Sequence, residues 1–271
     1  MKKIYSVGIV MLVVSFLCGC SVYGKGKNGE TAADNLPVIT VGCDNYSPFS
    51  YMDTNGNMTG IDVELAREAF SQMGYSPKFV FINWEDKKKL LADGEIDCIW
   101  SSFTMTDRET EYNWAGPYMK SRQVVAVRTD SEIQTLQDLE GKIVAVQNTT
   151  KPEDIIRSYN GTVPKLQKII SVQKRDLIFI LLSKGYVDAL AAHETAVDQF
   201  MEESGPKFRI LKEPLQSVDL GVAFDKSDTR GLNEKLTEIL NKMQRDGTVK
   251  QVISRYLPNA DRYLEEGYDG E

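Results

Sequence analysis

Short stretches rich in Val and Ile alternate along this chain with longer stretches in which apolar residues recur every three or four positions. Short β-branched runs predict strands, and the longer period predicts amphipathic helices. Strands are expected at 38–43, 78–82, 96–100, 124–127, 143–146, 168–170, 187–191, 208–211 and 220–224. Between the first two, Ile61, Leu65, Ala66, Ala69, Phe70 and Met73 fall on one helical face, with Asp62 placed to cap its start and Gly74 to end it. Similar stripes run through 175–184 and through Leu232, Leu236, Ile239, Leu240 and Met243, and all of them read as core-facing surfaces. Alternation of this kind predicts an α/β fold with mostly parallel sheets flanked by helices.

The first residues follow another pattern. Lys2 and Lys3 precede an apolar run over 4–17, which stops at Cys18-Gly19-Cys20 before Ser, Gly, Lys and Asn take over. This is the layout of a secretory signal peptide, and it is shorter than the roughly 20 apolar residues a membrane-spanning helix needs. Leu17-Cys18-Gly19-Cys20 resembles the lipobox of bacterial lipoproteins, which implies acylation of Cys20 as the new N-terminus. Residues 21–36 carry Gly24, Gly26, Gly29 and scattered charges without an apolar period, so they read as a flexible tether. The expected organisation is a signal peptide at 1–19 and a lipid-anchored tether at 20–36, which puts the rest of the chain on the outer face of the cell membrane.

About 235 residues follow the tether, enough for a large core and usually for two lobes. The net charge is −7, and loss of the leader, with two lysines and no acid, moves it to −9. No basic run or stripe is present, which argues against nucleic acid as a partner. Cys43 and Cys98 are the two cysteines beyond the tether, at the ends of predicted strands. An exported pair can form a disulfide, but two cysteines make no framework, and buried free thiols are the favoured reading.

Val41-Gly42-Cys43-Asp44-Asn45-Tyr46-Ser47-Pro48-Phe49, followed by Gly60-Ile61-Asp62-Val63-Glu64-Leu65-Ala66, resembles the opening of the family 3 solute-binding proteins that serve polar amino acid importers. Further blocks agree in order and spacing. They include Trp84-Glu85, Leu-Ala-Asp-Gly-Glu-Ile-Asp at 91–97, Ser101-Ser102-Phe103-Thr104-Met105-Thr106, Gly116-Pro117-Tyr118, Val146-Gln147-Asn148-Thr149-Thr150 and Gly185-Tyr186-Val187-Asp188. The resemblance implies a type II periplasmic-binding-protein fold: two lobes, each a mixed, mostly parallel sheet flanked by helices, joined by two hinge strands. The first lobe would comprise 37–124 plus 221–271 and the second 125–220, with hinges near 124–128 and 218–222.

It also implies a site between the lobes. A carboxylate taken out of water needs a bidentate Arg and neutral donors. Arg108 and Thr104 from the first lobe, with Thr149 and Thr150 from the second, are similar to the family's carboxylate clamp. Arg108 follows Thr106 by two residues where the family has three, so the turn must wind differently. For a ligand ammonium the resemblance implies the Ser102 position, within the Ser101-Ser102 pair, and an Asp from the second lobe. That Asp position holds His193, followed by Glu194. A neutral imidazole accepts one hydrogen bond without neutralising an ammonium, which leaves three readings open: Glu194 turns in, another acid such as Asp219 serves, or the ligand is no simple α-amino acid. Tyr46, Phe49 and Trp84 match aromatic positions that sandwich the ligand, and Asp44 at a strand end stands where a polar or cationic side chain would be read.

The expected partners are a small amino acid or analogue and the permease and ATPase of an ABC importer, with no cofactor or metal and a monomeric state. Two other classes share the fold. A sensory module would need a signalling partner, and an enzyme such as a lyase would rest on His193 with Glu194 as its acid–base pair, since no Gly-x-Ser-x-Gly, phosphate loop or His-rich metal spacing occurs.

Overall fold

The computed structural model describes residues 36–158, 161–205 and 207–264. The expected signal peptide, Cys20 and all but the last residue of the expected tether lie outside these residues. In chain order the first elements are β1 (Val38–Cys43), the short pair β2 (Tyr51–Met52) and β3 (Met58–Thr59), α1 (Ile61–Gln72), β4 (Ser76–Phe81), α2 (Lys87–Ala92), β5 (Cys98–Thr104) and β6 (Asn113–Arg128). There follow β7 (Ile143–Gln147), α3 (Lys151–Arg157), β8 (Lys168–Val172), α4 (Arg175–Ser183), β9 (Ala189–His193), α5 (Glu194–Ser204), β10 (Phe208–Ile210) and β11 (Gln216–Phe224). Helices α6 (Leu232–Arg245) and α7 (Thr248–Ser254) close the order.

The sheet runs β4-β1-β5-β11-β6-β9-β7-β8, with β10 on β6. Parallel pairs β1–β4 and β1–β5 form the first lobe's end, and parallel pairs β7–β8 and β7–β9 form the second's. Strands β6 and β11, antiparallel to each other, carry the chain between them. Strand β6 has 16 residues, about 50 Å at the usual rise. Its 113–123 segment pairs with β11, while Gln123–Val127 pairs with β9, so Gln123 is where it changes partner.

The Val-rich stretch at 124–127 marks only the last quarter of β6. Its earlier residues mix Gly116, Pro117, Lys120 and Gln123 among apolar ones, which hides the strand from a period-two reading. Ser121 and Gln123 are buried in it, where both meet the ring of His193. Strand β5 likewise extends past the expected 96–100 to Thr104 and is buried at every position.

The core follows from the helical stripes. Leu65, Ala69 and Phe70 of α1 and Leu236 and Leu240 of α6 cover one face of the first lobe's sheet, in one cluster with Phe49 and Trp100. Leu91, Ile96, Ile99 and Phe103 fill a smaller cluster beneath Trp84. In the second lobe Phe179, Phe200 and Phe208 stack face to face, and Val144, Val146 and Ile156 lie in a separate cluster. Cys43 and Cys98 are buried free thiols, and burial pushes the Cys43 thiol up to about 12.

Asp62 does not cap α1. Gly60 is the N-cap, and the first helical N–H groups donate to the carbonyls of Pro48 and Phe49 at 2.9 Å each. A Cβ on Gly60 would lie 2.3 Å from the Phe49 carbonyl oxygen, and its φ of 121° is one only glycine takes readily, so this junction admits no side chain. The freed Asp62 carboxyl, 1 % exposed, accepts instead from the Ser102 N–H at 2.6 Å and the Tyr118 hydroxyl at 2.7 Å. It therefore fixes the backbone of β5 from beneath.

Burial pushes the Asp62 carboxyl from its ordinary 3.8 up to about 7. Between those values the folded chain holds more protons than the unfolded chain, so this group lowers stability as pH rises from about 4 to 7. Asp62→Asn is expected to remove that slope. Denaturant melts of both proteins should show wild type losing roughly 2–4 kcal/mol relative to the variant across the window, and parallel pH profiles would contradict the assignment.

Candidate ligand-binding cleft

A cavity opens between the lobes beside the ends of β5 and β9. The first lobe lines it with Tyr46, Trp84, Ser101, Ser102, Thr104 and Arg108, and the second with Gln147, Thr150, Lys151, Arg175 and His193. These residues come from strand ends and the turns after them, where an α/β sheet leaves its ligand crevice. Among the described residues no group of side chains is arranged to hold a metal ion.

The floor is the polar end of β5. The Ser101 hydroxyl accepts from the Asp44 N–H at 2.9 Å, and the Thr104 hydroxyl accepts from Gln123 Nε2 at 3.3 Å. Ser102, 3 % exposed, has no partner for its hydroxyl among the described residues. Its φ is 47°, and Asp107 and Thr149, flanking the cleft, also have left-handed backbones at 61° and 55°. Residues other than glycine take this region at a cost and are held there by their surroundings.

Arg108 is 8 % exposed, with its guanidinium 5.5 Å from the centre of the Phe103 ring. It forms an ion pair with Asp154 of α3, in the opposite lobe. Lys151 of α3 in turn pairs with Asp107 of the first lobe at 2.7 Å, and Arg175 of α4 with Asp44 at 2.7 Å. The Tyr46 hydroxyl meets that of Thr195 at 2.7 Å, also across the cleft. Thr150, which precedes α3, donates its hydroxyl to the Gln147 carbonyl at 2.6 Å.

Several expected contacts lie off the cavity lining. Phe49 is fully buried in the first lobe's core, its carbonyl engaged with α1. Asp44 faces Arg175 and Gln147 and leaves no carboxylate on the lining. Thr149 is exposed, and its hydroxyl and carbonyl accept from Lys87 Nζ at 2.8 and 3.1 Å. Glu194 turns away from the cleft, held by Arg122 and Arg262. Asp219 is off the lining too, its N–H donating to the Thr106 hydroxyl at 2.8 Å.

His193 does line the cavity. Its Nδ1 lies 3.1 Å from the Ser121 hydroxyl, and Gln123 Nε2 is 3.1 Å from its Nε2. Desolvation, then the charges of Arg175 and Arg108, push the imidazole from 6.5 down to about 3, so it is neutral at physiological pH. Lys87, nearly fully buried with Nζ 4.8 Å from the centre of the Trp84 ring, is pushed down to about 7 by burial first and then by Arg108 and Lys88.

Arg175, Gln147, Lys151, Lys87 and Gln123 were not singled out by sequence reasoning. Arg175 was counted as the start of an amphipathic stripe, although its place at the first residue of a helix following a strand was a signal for the crevice. Lys87 sits in a run of three lysines, and nothing in the pattern marks which is buried.

Two α/β lobes joined by paired extended strands, with a polar cavity between them, define a hinged solute-binding protein. The chain belongs to the bacterial extracellular solute-binding proteins, family 3, which it matches over residues 39–259. A probable histidine-binding protein of Campylobacter jejuni is 25 % identical, with 94 % of this chain and 99 % of the relative covered. The ABC transporter arginine-binding protein 1 of Escherichia coli is 24 % identical over 95 % of this chain and all of its own length. Among solved structures, a mutant of ArgBP from T. maritima superposes with a TM-score of 0.72 and 30 % identity, covering 81 % of this chain and 94 % of that one. The ancestral amino acid-binding protein AncCDT-1, a precursor of cyclohexadienyl dehydratase, gives 0.72 at 26 % identity, covering 82 % and 96 %.

The chain has one histidine, so its imidazole signal needs no assignment. A folded-state value below the unfolded one means that His193 contributes stability above about pH 6.5, lost as pH falls toward 3. Proton NMR of the folded protein should show the His193 ring resonances flat from pH 8 to 5. A midpoint near 6.5 would place the ring in solvent instead.

Proposed function

We propose that this chain is the extracytoplasmic substrate-binding component of an ABC importer for a polar amino acid or close analogue. The observation that carries the reading is that Arg108 and Thr150 face one cavity from opposite lobes. A guanidinium has five donors, so pairing with Asp154 leaves Arg108 able to take a ligand carboxylate. Ligand touching both lobes favours the form in which they are apposed, a population shift that the permease and ATPase read from the outer surface. Rotation is taken up where β6 changes partner at Gln123 and where the β11 register shifts between Leu220 and Val222. The lobe limits are therefore close to 37–124 plus 221–271 and 125–220. Residues 1–19 serve as the export signal, and acylated Cys20 with its tether holds a monomeric binding protein at the outer face of the cell membrane.

Binding rather than turnover is favoured by the neutrality of His193 and by the engagement of Glu194 with two arginines, which leaves no acid–base pair in the cavity. The relatives named as amino-acid-binding proteins support the same choice.

Titration calorimetry with a panel of amino acids is expected to give micromolar to nanomolar affinity for at least one. Arg108→Ala should weaken that ligand by roughly 2–4 kcal/mol, about 30- to 1,000-fold. No binding across the panel, or unchanged affinity in the variant, would refute the reading. In cells, Cys20→Ser should move the protein from the membrane fraction to the soluble one, and persistence at the membrane would exclude the anchor.

A further inference from the structure

We propose that the solute is an acid with two anionic groups, for which Arg175 provides the second cation; this rests on the binding function proposed above and narrows it. The first support is the state of the aromatic rings. Tyr46, Trp84 and Phe103 line the cavity, and each already carries a cation of the protein: Arg175 at 3.7 Å from the ring centre, Lys87 at 4.8 Å and Arg108 at 5.5 Å. A cationic ligand side chain gains by lying on an open ring face. Here it would meet a guanidinium at Tyr46 and at Phe103 and the amine of Lys87 at Trp84.

The second support is the charge of the lining. Arg108, Lys151 and Arg175 contribute to it, and no carboxylate does. Their partners Asp154, Asp107 and Asp44 sit behind them, the first two with half or more of the side chain in solvent. The cations themselves are only 9 %, 7 % and 17 % exposed, so water screens the counter-ions more than it screens the charges facing the cavity. The second lobe's helices act in the same sense. The nine-residue α4 begins at Arg175 and the eleven-residue α5 directly after His193, both without a side-chain cap, and their positive ends reach the lining through those residues. The unpaired, buried Ser102 hydroxyl is a further donor on the opposite wall.

The third support is the missing counter-charge for a ligand cation. Both ring nitrogens of His193 lie against Ser121 and Gln123, Glu194 is held by Arg122 and Arg262, and Asp44 is taken by Arg175. A dicarboxylate without an ammonium needs no such partner. Arg108 meets one of its anionic groups, and the donors of Arg175 not used by Asp44 meet the other.

The test is calorimetry on protein stripped of ligand by unfolding and refolding. The probes are L-glutamate, L-aspartate, glutarate and succinate, set against L-glutamine, L-asparagine, L-arginine, L-lysine and L-histidine. At least one acid is expected to bind tenfold or more tightly than its amide counterpart, with no detectable heat from the cationic amino acids. Arg175→Gln should bring the acid-to-amide ratio near one, while Arg175→Lys should keep most of it. A neutral or cationic amino acid binding more tightly than every acid would overturn this inference and leave the importer function standing. No binding by any probe would overturn both. A preserved acid preference in Arg175→Gln would remove Arg175 from the role.

Discussion

Ion pairs that cross the cleft organise this molecule. Arg108 reaches from the first lobe to Asp154, while Lys151 and Arg175 reach from the second to Asp107 and Asp44. Each pair has one member on either side, so moving the lobes apart separates three sets of opposite charges at once. Charge drawn out of water is tolerated only when met by charge or hydrogen bonds. Opening lets water solvate both members, so the pairs hold the lobes reversibly where an apolar contact of the same area would resist hydration. The Tyr46–Thr195 and Lys87–Thr149 contacts extend the same arrangement to the two rims.

Around these pairs the fold supplies rigidity in one place and freedom in another. Asp62 clamps the backbone of Ser102, and the carbonyls of Pro48 and Phe49 seat α1, so the floor of the cleft moves with the first lobe's core. The second lobe brings its contacts on α3, α4 and α5, anchored through Ile156, Phe179 and Val197 in apolar clusters. Strands β6 and β11 carry the chain between the two, and Gln123 sits where they pair, with its side chain against both Thr104 and His193. The hinge thus touches two residues of the cavity lining, Thr104 and His193, which gives a ligand a short physical route to the angle between the lobes.

Much of this architecture was legible in the order of residues. The Val- and Ile-rich runs marked β1, β7 and β10 closely, and the stripes at Ile61–Phe70 and Leu232–Met243 marked α1 and α6, because burial against a sheet imposes its period on the chain. Strand β6 was mostly hidden, since it buries the polar side chains of Ser121 and Gln123 and so loses its apolar alternation. Asp62 looked like a helix cap because its position fits one, but capping is decided by which carbonyls and carboxylates approach from elsewhere. Phe49 and Glu194 stand beside lining residues in the chain and yet face away, one into the core and one toward Arg122 and Arg262.

By itself, then, the chain's own pattern determined the class of fold, since periodicity and local spacing are properties of neighbours in sequence; that Arg108, Thr150, Ser102 and His193 belong near a common site was implied by the family resemblance of the blocks that carry them. What only the tertiary structure decided was charge. Whether Asp44 offers its carboxylate to the cleft or spends it on Arg175, whether His193 can be protonated, and which of three successive lysines is buried depend on groups that lie elsewhere in the chain, up to 131 positions away. Electrostatic energy follows distance in space and exposure to water, and neither is written along the chain.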